Sequence, residues 1–95
     1  MRTYNLEFDS RALKEFQKMG EPVKLQFKKK LAEVLEQPHI PANRLRGLPD
    51  CYKIKLRASG YRLVYQVTDA QIIVLVLSVG KRGRSEVYQT ARHRL

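Results

Sequence analysis

Residues 51–65 read CYKIKLRASGYRLVY. Tyr52, Ile54 and Leu56 alternate with Lys53, Lys55 and Arg57, the period of two that gives a strand one apolar and one charged face. Ala58, Ser59 and Gly60 form turns readily, and the alternation resumes at Tyr61, Leu63, Tyr65 and Val67. The stretch predicts a β-hairpin. Matching apolar to apolar across its turn sets Arg62 on the same face as Lys53, Lys55 and Arg57. No acid lies within the stretch to relieve that row of cations.

A third strand is expected after the turn at Thr68-Asp69-Ala70, over about residues 71–79. QIIVLVLSV is apolar on both faces near its middle, as a central strand requires, and Gly80 is expected to end it. Upstream, TYNLEF (3–8) alternates as a first strand. Asp9 or Ser10 suits a helix cap, Leu13, Phe16 and Met19 a short apolar stripe, and Gly20 a helix stop. Pro22 then suits the first turn of a second helix. Its stripe is Val23, Phe27, Leu31, Val34 and Leu35, with Lys24, Lys28 and Glu36 outward. It must close near Gln37, before Pro38. Residues 38–50, with three of the four prolines, read as a long loop. Residues 86–94 predict a last helix with Val87 and Ala91 inward. The expected fold is α+β, a single domain over 1–95 in the order βααβββα. Its four-stranded sheet is antiparallel-rich, with helices packed on one face.

Charge narrows the function. Lys plus Arg is 19 against 9 acids, a net charge of +10, which attracts polyanions. It is unevenly placed: residues 1–37 hold 8 basic and 6 acidic residues, and 38–95 hold 11 and 3. The field therefore belongs to the sheet half. One cysteine, Cys51, excludes an internal disulfide and a Cys-rich metal site, and suits a cytoplasmic protein. No signal pattern is seen, and the longest apolar run, Ile72 to Leu77, is too short to span a membrane.

Cations from several segments are expected to converge: Lys53, Lys55 and Arg57 on one strand, Arg62 on the next, Lys81 and Arg82 at the end of the third, and Arg44 and Arg46 in the loop before them. Singly, such residues confer solubility and protect strand edges. Together they favour a phosphodiester, which Arg binds bidentately and Lys as a point charge. Crowding also disfavours each protonated lysine, from an ordinary value of about 10.4 towards neutrality. A neutral lysine can take a proton from a ribose 2′-OH, and an arginine can stabilise the phosphate it attacks. That set suffices for RNA cleavage without a metal. Other chemistries have less support. His39 lies in a proline-rich loop and His93 two residues from the end, while Asp50, Asp69 and Glu86 are scattered. Tyr88, near Arg82 and Arg84, reads equally as packing or as a ring that stacks on a base.

NRLRGLPDCYKIKLRASGYRLVYQV (43–67) followed by SVGKRGRSEVY (78–88) closely resembles the RelE toxins of bacterial toxin–antitoxin systems. YNLEFDSRALKEFQKMG (4–20) and FKKKLAEVLEQP (27–38) match as well, so the resemblance spans nearly the whole chain. It implies a ribosome-dependent endoribonuclease that cuts mRNA in the ribosomal A site, with no metal or other cofactor. It places the family's functional positions on Arg46, Lys53, Lys55, Arg62, Arg82 and Tyr88. By that analogy Lys53 and Lys55 activate the 2′-OH, Lys55 first. Arg62 stabilises the phosphate, Arg82 assists the departing 5′-oxygen, Tyr88 stacks on the nucleotide, and Arg46 holds the backbone. Arg44, Arg57, Lys81 and Arg84 extend the RNA-binding surface. The implied partners are the ribosome with its mRNA and an acidic, RelB-like antitoxin, with operator DNA reached only through the complex. One departure is Gly83, where family members often carry a charge; glycine loosens the link to the last helix. Two other functions compete: a basic RNA- or ribosome-binding module without chemistry, and a toxin of the same fold that blocks a topoisomerase.

Overall fold

Asp9 separates the first strand, β1 (Asn5–Phe8), from the first helix, α1 (Ser10–Gln17). Its Oδ1 accepts the Arg11 backbone N–H at 2.9 Å, and the Arg11 guanidinium bonds both carboxyl oxygens. That hydrogen-bonded guanidinium, with the backbone N–H groups, holds the Asp9 carboxyl down at about 2. The structure, a computed structural model, describes residues 3–81 and 86–95. The remaining elements are α2 (Glu21–Glu36), a 3-10 turn (Pro41–Asn43), β2 (Cys51–Lys55), β3 (Tyr61–Thr68), β4 (Ile73–Lys81) and α3 (Glu86–Arg94). The order is the βααβββα expected.

The sheet runs β1-β4-β3-β2, with β1 parallel to β4 and the other pairs antiparallel. β4 and β3 are central, as the two-sided apolar run 71–79 requires. One face packs Val74, Val76 and Val79 of β4 with Leu63, Tyr65 and Val67 of β3 against Phe16 of α1 and Phe27, Leu31 and Val34 of α2. The opposite face gathers Cys51, Val64 and Leu77 under Val87 and Ala91 of α3, with Leu48 from the loop. So α1 and α2 share the expected face, and α3 adds a layer on the other. The reason lies in β4: Leu75 and Leu77 make its second face apolar too, and α3 covers them.

Several boundaries differ from expectation: β1 starts at Asn5 rather than Thr3, and β2 ends at Lys55, before Arg57. Gly20 does not close α1; it is the N-cap of α2, in extended conformation (φ −63°, ψ 153°). Only Lys18, Met19 and Gly20 separate the two helices, and Pro22 already commits the chain to α2. Gly80 does not end β4, because Arg62 and Tyr61 of β3 still offer partners to Gly80 and Lys81. The start of β4 moves to Ile73 because Ile72 is left-handed (φ 57°), which aims its carbonyl at the Asn5 N–H, 2.8 Å away.

β1 is short, so it pairs with β4 only over Ile73–Val76. Beyond it the β4 edge is closed by side chains from both layers. The Val79 N–H donates to Glu15 Oε1 at 3.1 Å, and Arg94 Nη1 donates to the Leu77 carbonyl at 2.8 Å. Arg94 and Glu15 then meet in a two-pronged ion pair, with both distances 2.9 Å. An edge that would otherwise present unpaired backbone is thus satisfied.

Candidate active site

The hairpin register is the one parity demands. Lys55 stands opposite Arg62 and Lys53 opposite Val64, while Tyr52–Tyr65 and Ile54–Leu63 point to the other side. Lys53, Lys55 and Arg62 therefore share the α3 face. Across the sheet Arg62 faces Gly80, which has no side chain to crowd it. Tyr88 of α3 fills that side: Arg62 Nη1 donates to the Tyr88 hydroxyl at 3.0 Å, and the guanidinium carbon lies 5.9 Å from the ring centroid. That distance is the outer limit of a cation–π contact, about 6 Å. The Arg62 Nε is buried and has no hydrogen-bond partner among the described residues. Lys55 is exposed and Lys53 half-buried beside it.

Tyr88 is held there from both ends of its helix. The Ser78 hydroxyl, 1 % exposed, donates to the Val87 carbonyl at 2.7 Å, one residue from Tyr88. Val87 and Ala91 are buried, and Arg94 ties the far end to the β4 edge. The loop before β2 completes the rim. Gly47 is left-handed (φ 75°), and a Cβ there would lie 3.4 Å from Arg92 Nη2 of α3. Arg46, the neighbouring residue, is exposed at this rim.

Residues 6–86 match the family model described as the ParE toxin of type II toxin–antitoxin systems, parDE. The mRNA interferase toxin RelE of Escherichia coli K12 is 66% identical over 92 residues, 97% of each chain. The mRNA interferase RelE of Shigella flexneri is equally similar. The chain belongs to the RelE/ParE family of toxins. Solved structures agree: a mutant of E. coli toxin RelE in the free state superposes with a TM-score of 0.91 at 63% identity, over 98% of each chain. RelE in the intact E. coli RelBE toxin–antitoxin complex gives 0.83 at 67% identity, over 85% of this chain and 99% of that one.

On this RelE-type sheet Lys53, Lys55, Arg62 and Tyr88 come together. Arg44 bridges to Tyr52 at the outer edge of β2, and Arg57 is exposed in the hairpin loop. Lys81 pairs with Tyr61 and so belongs to the opposite face from Arg62. Arg82, Gly83 and Arg84 lie outside the described residues. Tyr88, open between packing and chemistry in the sequence, packs its ring on the second core and accepts a hydrogen bond from Arg62 at its hydroxyl. Sequence reasoning missed Arg92 and the anchors Ser78, Glu15 and Arg94. No local spacing signals them, because each acts across the sheet.

The remaining reactive types are used structurally. His39 lies on the α1–α2 side, its Nδ1 2.8 Å from the Tyr52 hydroxyl and its Nε2 2.8 Å from Asp69 Oδ1. The Tyr4 hydroxyl donates to the same Asp69 oxygen at 2.6 Å, and these two bonds hold the Asp69 carboxyl below its usual range. Cys51 is fully buried, and burial, reinforced by Asp50, pushes its thiol up to about 11. That leaves no thiolate for nucleophilic work near neutral pH.

Proposed function

We propose that this RelE/ParE-family chain is the toxin of a toxin–antitoxin pair and cleaves mRNA in the ribosomal A site. One observation carries the reading: Arg62 is presented between Lys55 and the Tyr88 hydroxyl, on the face that also carries Lys53. This is a receptor for a phosphate. The matching family model is described by the ParE toxin, whereas two relatives at 66% identity over 97% of the chain are mRNA interferases. The assembled Lys–Arg–Tyr set favours RNA over a topoisomerase target.

The chemistry follows from the side chains. Lys55, as the neutral amine, takes the proton of a ribose 2′-OH, with Lys53 beside it. The 2′-oxygen bonds to the adjacent phosphorus as the P–O5′ bond breaks, and the departing 5′-oxygen takes a proton from water, leaving a 2′,3′-cyclic phosphate and a 5′-hydroxyl. Arg62 stabilises the charge that develops on the phosphate. Arg82 assists the departing 5′-oxygen, and Tyr88 stacks on the nucleotide or orients it. Arg46, Arg44 and Arg57 bind the RNA backbone, and Lys81 and Arg84 add to the attracting field. No metal is assigned a step.

RelE of E. coli has been solved in complex with its antitoxin RelB, and the corresponding partner here is an acidic, RelB-like protein. Operator DNA is reached only through that complex. Among the described residues no helix is long and apolar enough to cross a membrane. A cytoplasmic site of action matches the ribosomal substrate. Expression of the chain in cells, with mapping of mRNA 5′ ends, tests the reading. Codon-phased cuts that disappear in Lys55→Ala and Arg62→Ala variants are expected. Intact mRNA with ribosome binding retained would leave a binding module without chemistry.

A further inference from the structure

Arg57 projects from the hairpin with no part in the cleavage steps above. It lines a groove of about 850 Å³ between α2, the loop around the 3-10 turn and the outer edge of β2. β2 is the last strand of the sheet, and only its start is covered, where Arg44 bridges to Tyr52 and the Leu45 N–H donates to the Cys51 carbonyl at 2.9 Å. Past that point α2 stands off from the strand. Lys30 of α2 forms one wall of the groove, and Lys53, Lys55 and Arg57 form the other. Glu33 is the one acid among the lining residues. Lys30, Lys55 and Arg57 are exposed.

Two of these cations belong to both places. Lys53 and Lys55 share the face of Arg62 by register, yet they also line the groove from the strand's edge. The cationic surface is therefore continuous from Arg62, over the rim of β2, into the groove. We infer that the α2–β2 groove holds the sugar–phosphate backbone of the same RNA strand, flanking the phosphodiester that is cut. Continuity with the reacting site favours the cleaved strand over a separate RNA. The four-to-one balance of cations over acids suits a polyanion such as a phosphate backbone. This rests on the nuclease reading above for the identity of the strand, though not for the chemistry of the groove.

The test uses Lys30→Glu and the milder Lys30→Gln, at an exposed position outside the reacting site, with antitoxin binding as a check on folding. Half-saturating concentrations are measured on ribosomes programmed with a message ending beside the A-site codon, and with one extended on both sides. Each variant is expected to raise the value about fivefold for the extended message and less than twofold for the short one, as removal of a phosphate contact does. Equal losses on both messages would place the groove against the ribosome, and no loss would leave it solvated; either overturns the proposal. Loss of antitoxin affinity alone would assign the groove to the protein partner and overturn it too. A second readout is independent of cleavage. For a labelled single-stranded RNA and the free toxin, the slope of log affinity against log salt is expected to shrink by about 0.7 per variant. Wild-type protein that shows the full slope but never cuts would sink the nuclease reading and leave the groove standing. Unchanged slopes in both variants, with cutting intact, would do the reverse.

Discussion

At Arg62 one Nη1–H goes to the Tyr88 hydroxyl at 3.0 Å, and the residue is half-buried. The phenol thus fixes the orientation of the guanidinium fork. Tyr88→Phe keeps the ring and deletes that bond. Its expected effect is a loss of about tenfold in single-turnover cleavage on programmed ribosomes, the worth of one charge-assisted hydrogen bond of about 1.4 kcal/mol, with the urea midpoint nearly unmoved. Wild-type cleavage by this variant, with loss only in Tyr88→Ala, would confine Tyr88 to stacking. How far these residues were legible in the sequence differs from one to the next. Lys55 opposite Arg62 follows from a period of two and a recognisable turn, both local properties. The Arg62–Tyr88 contact spans 26 residues and exists because α3 crosses the sheet, which no local pattern dictates. Lys81 shows the converse: it is adjacent in sequence to the expected site, yet its pairing with Tyr61 turns it to the other face.

At the scale of elements, α3 is placed by the edge of β4. Arg94, whose side chain is 10% exposed, bonds the Leu77 carbonyl and both oxygens of Glu15, and Glu15 in turn accepts the Val79 N–H. The pair clasps a helix from each side of the sheet around one strand. Arg94→Ala leaves Glu15 without its cation and Leu77 without a donor, and should destabilise by about 2–3 kcal/mol in urea melts. In a double-mutant cycle, Glu15→Ala is expected to cost less in the Arg94→Ala background than alone. Faster amide exchange in α3 should accompany both variants; additive costs would mean that the clasp is incidental. The cap of α1 gives a pH-dependent prediction. Asp9 sits near 2 in the fold, against about 3.9 unfolded, so its contribution is complete above the unfolded value and fades as pH falls towards 2. Asp9→Ala should cost about 1 kcal/mol near neutrality, and the gap from wild type should narrow as melts are repeated from pH 5 down to pH 3 and close only towards pH 2. The elements themselves were well marked, by Asp9, Pro22, Pro38 and the two turns. What escaped was the layer to which α3 belongs. A helix with only Val87 and Ala91 buried says that it packs, and the second apolar face of β4 says where, but joining the two needs the register.

Across the whole molecule, the proposed function gives a net charge of +10 on 95 residues two kinds of partner, RNA and an acidic antitoxin, and salt should tell them apart. Towards RNA the charges neutralise phosphates and release counterions, so the equilibrium itself falls with salt, by about 0.7 log units per phosphate for each tenfold rise with single strands. Towards an acidic antitoxin the same charges steer encounter. A folded interface, once formed, is held by packing and desolvated contacts, so salt should act on association far more than on dissociation. Stopped-flow mixing with each partner over roughly 50–500 mM salt is the measurement, because that range takes the screening length from above 10 Å to below 5 Å. The antitoxin's association rate is expected to drop about tenfold with its dissociation rate nearly constant, whereas affinity for programmed ribosomes should fall by orders of magnitude. The antitoxin then retains the toxin under ionic conditions that strip the toxin from RNA, and neutralisation is favoured wherever both partners are present. Equal salt slopes in equilibrium affinity for the two partners would mean that the antitoxin is held by the cationic face alone, as a substitute for RNA.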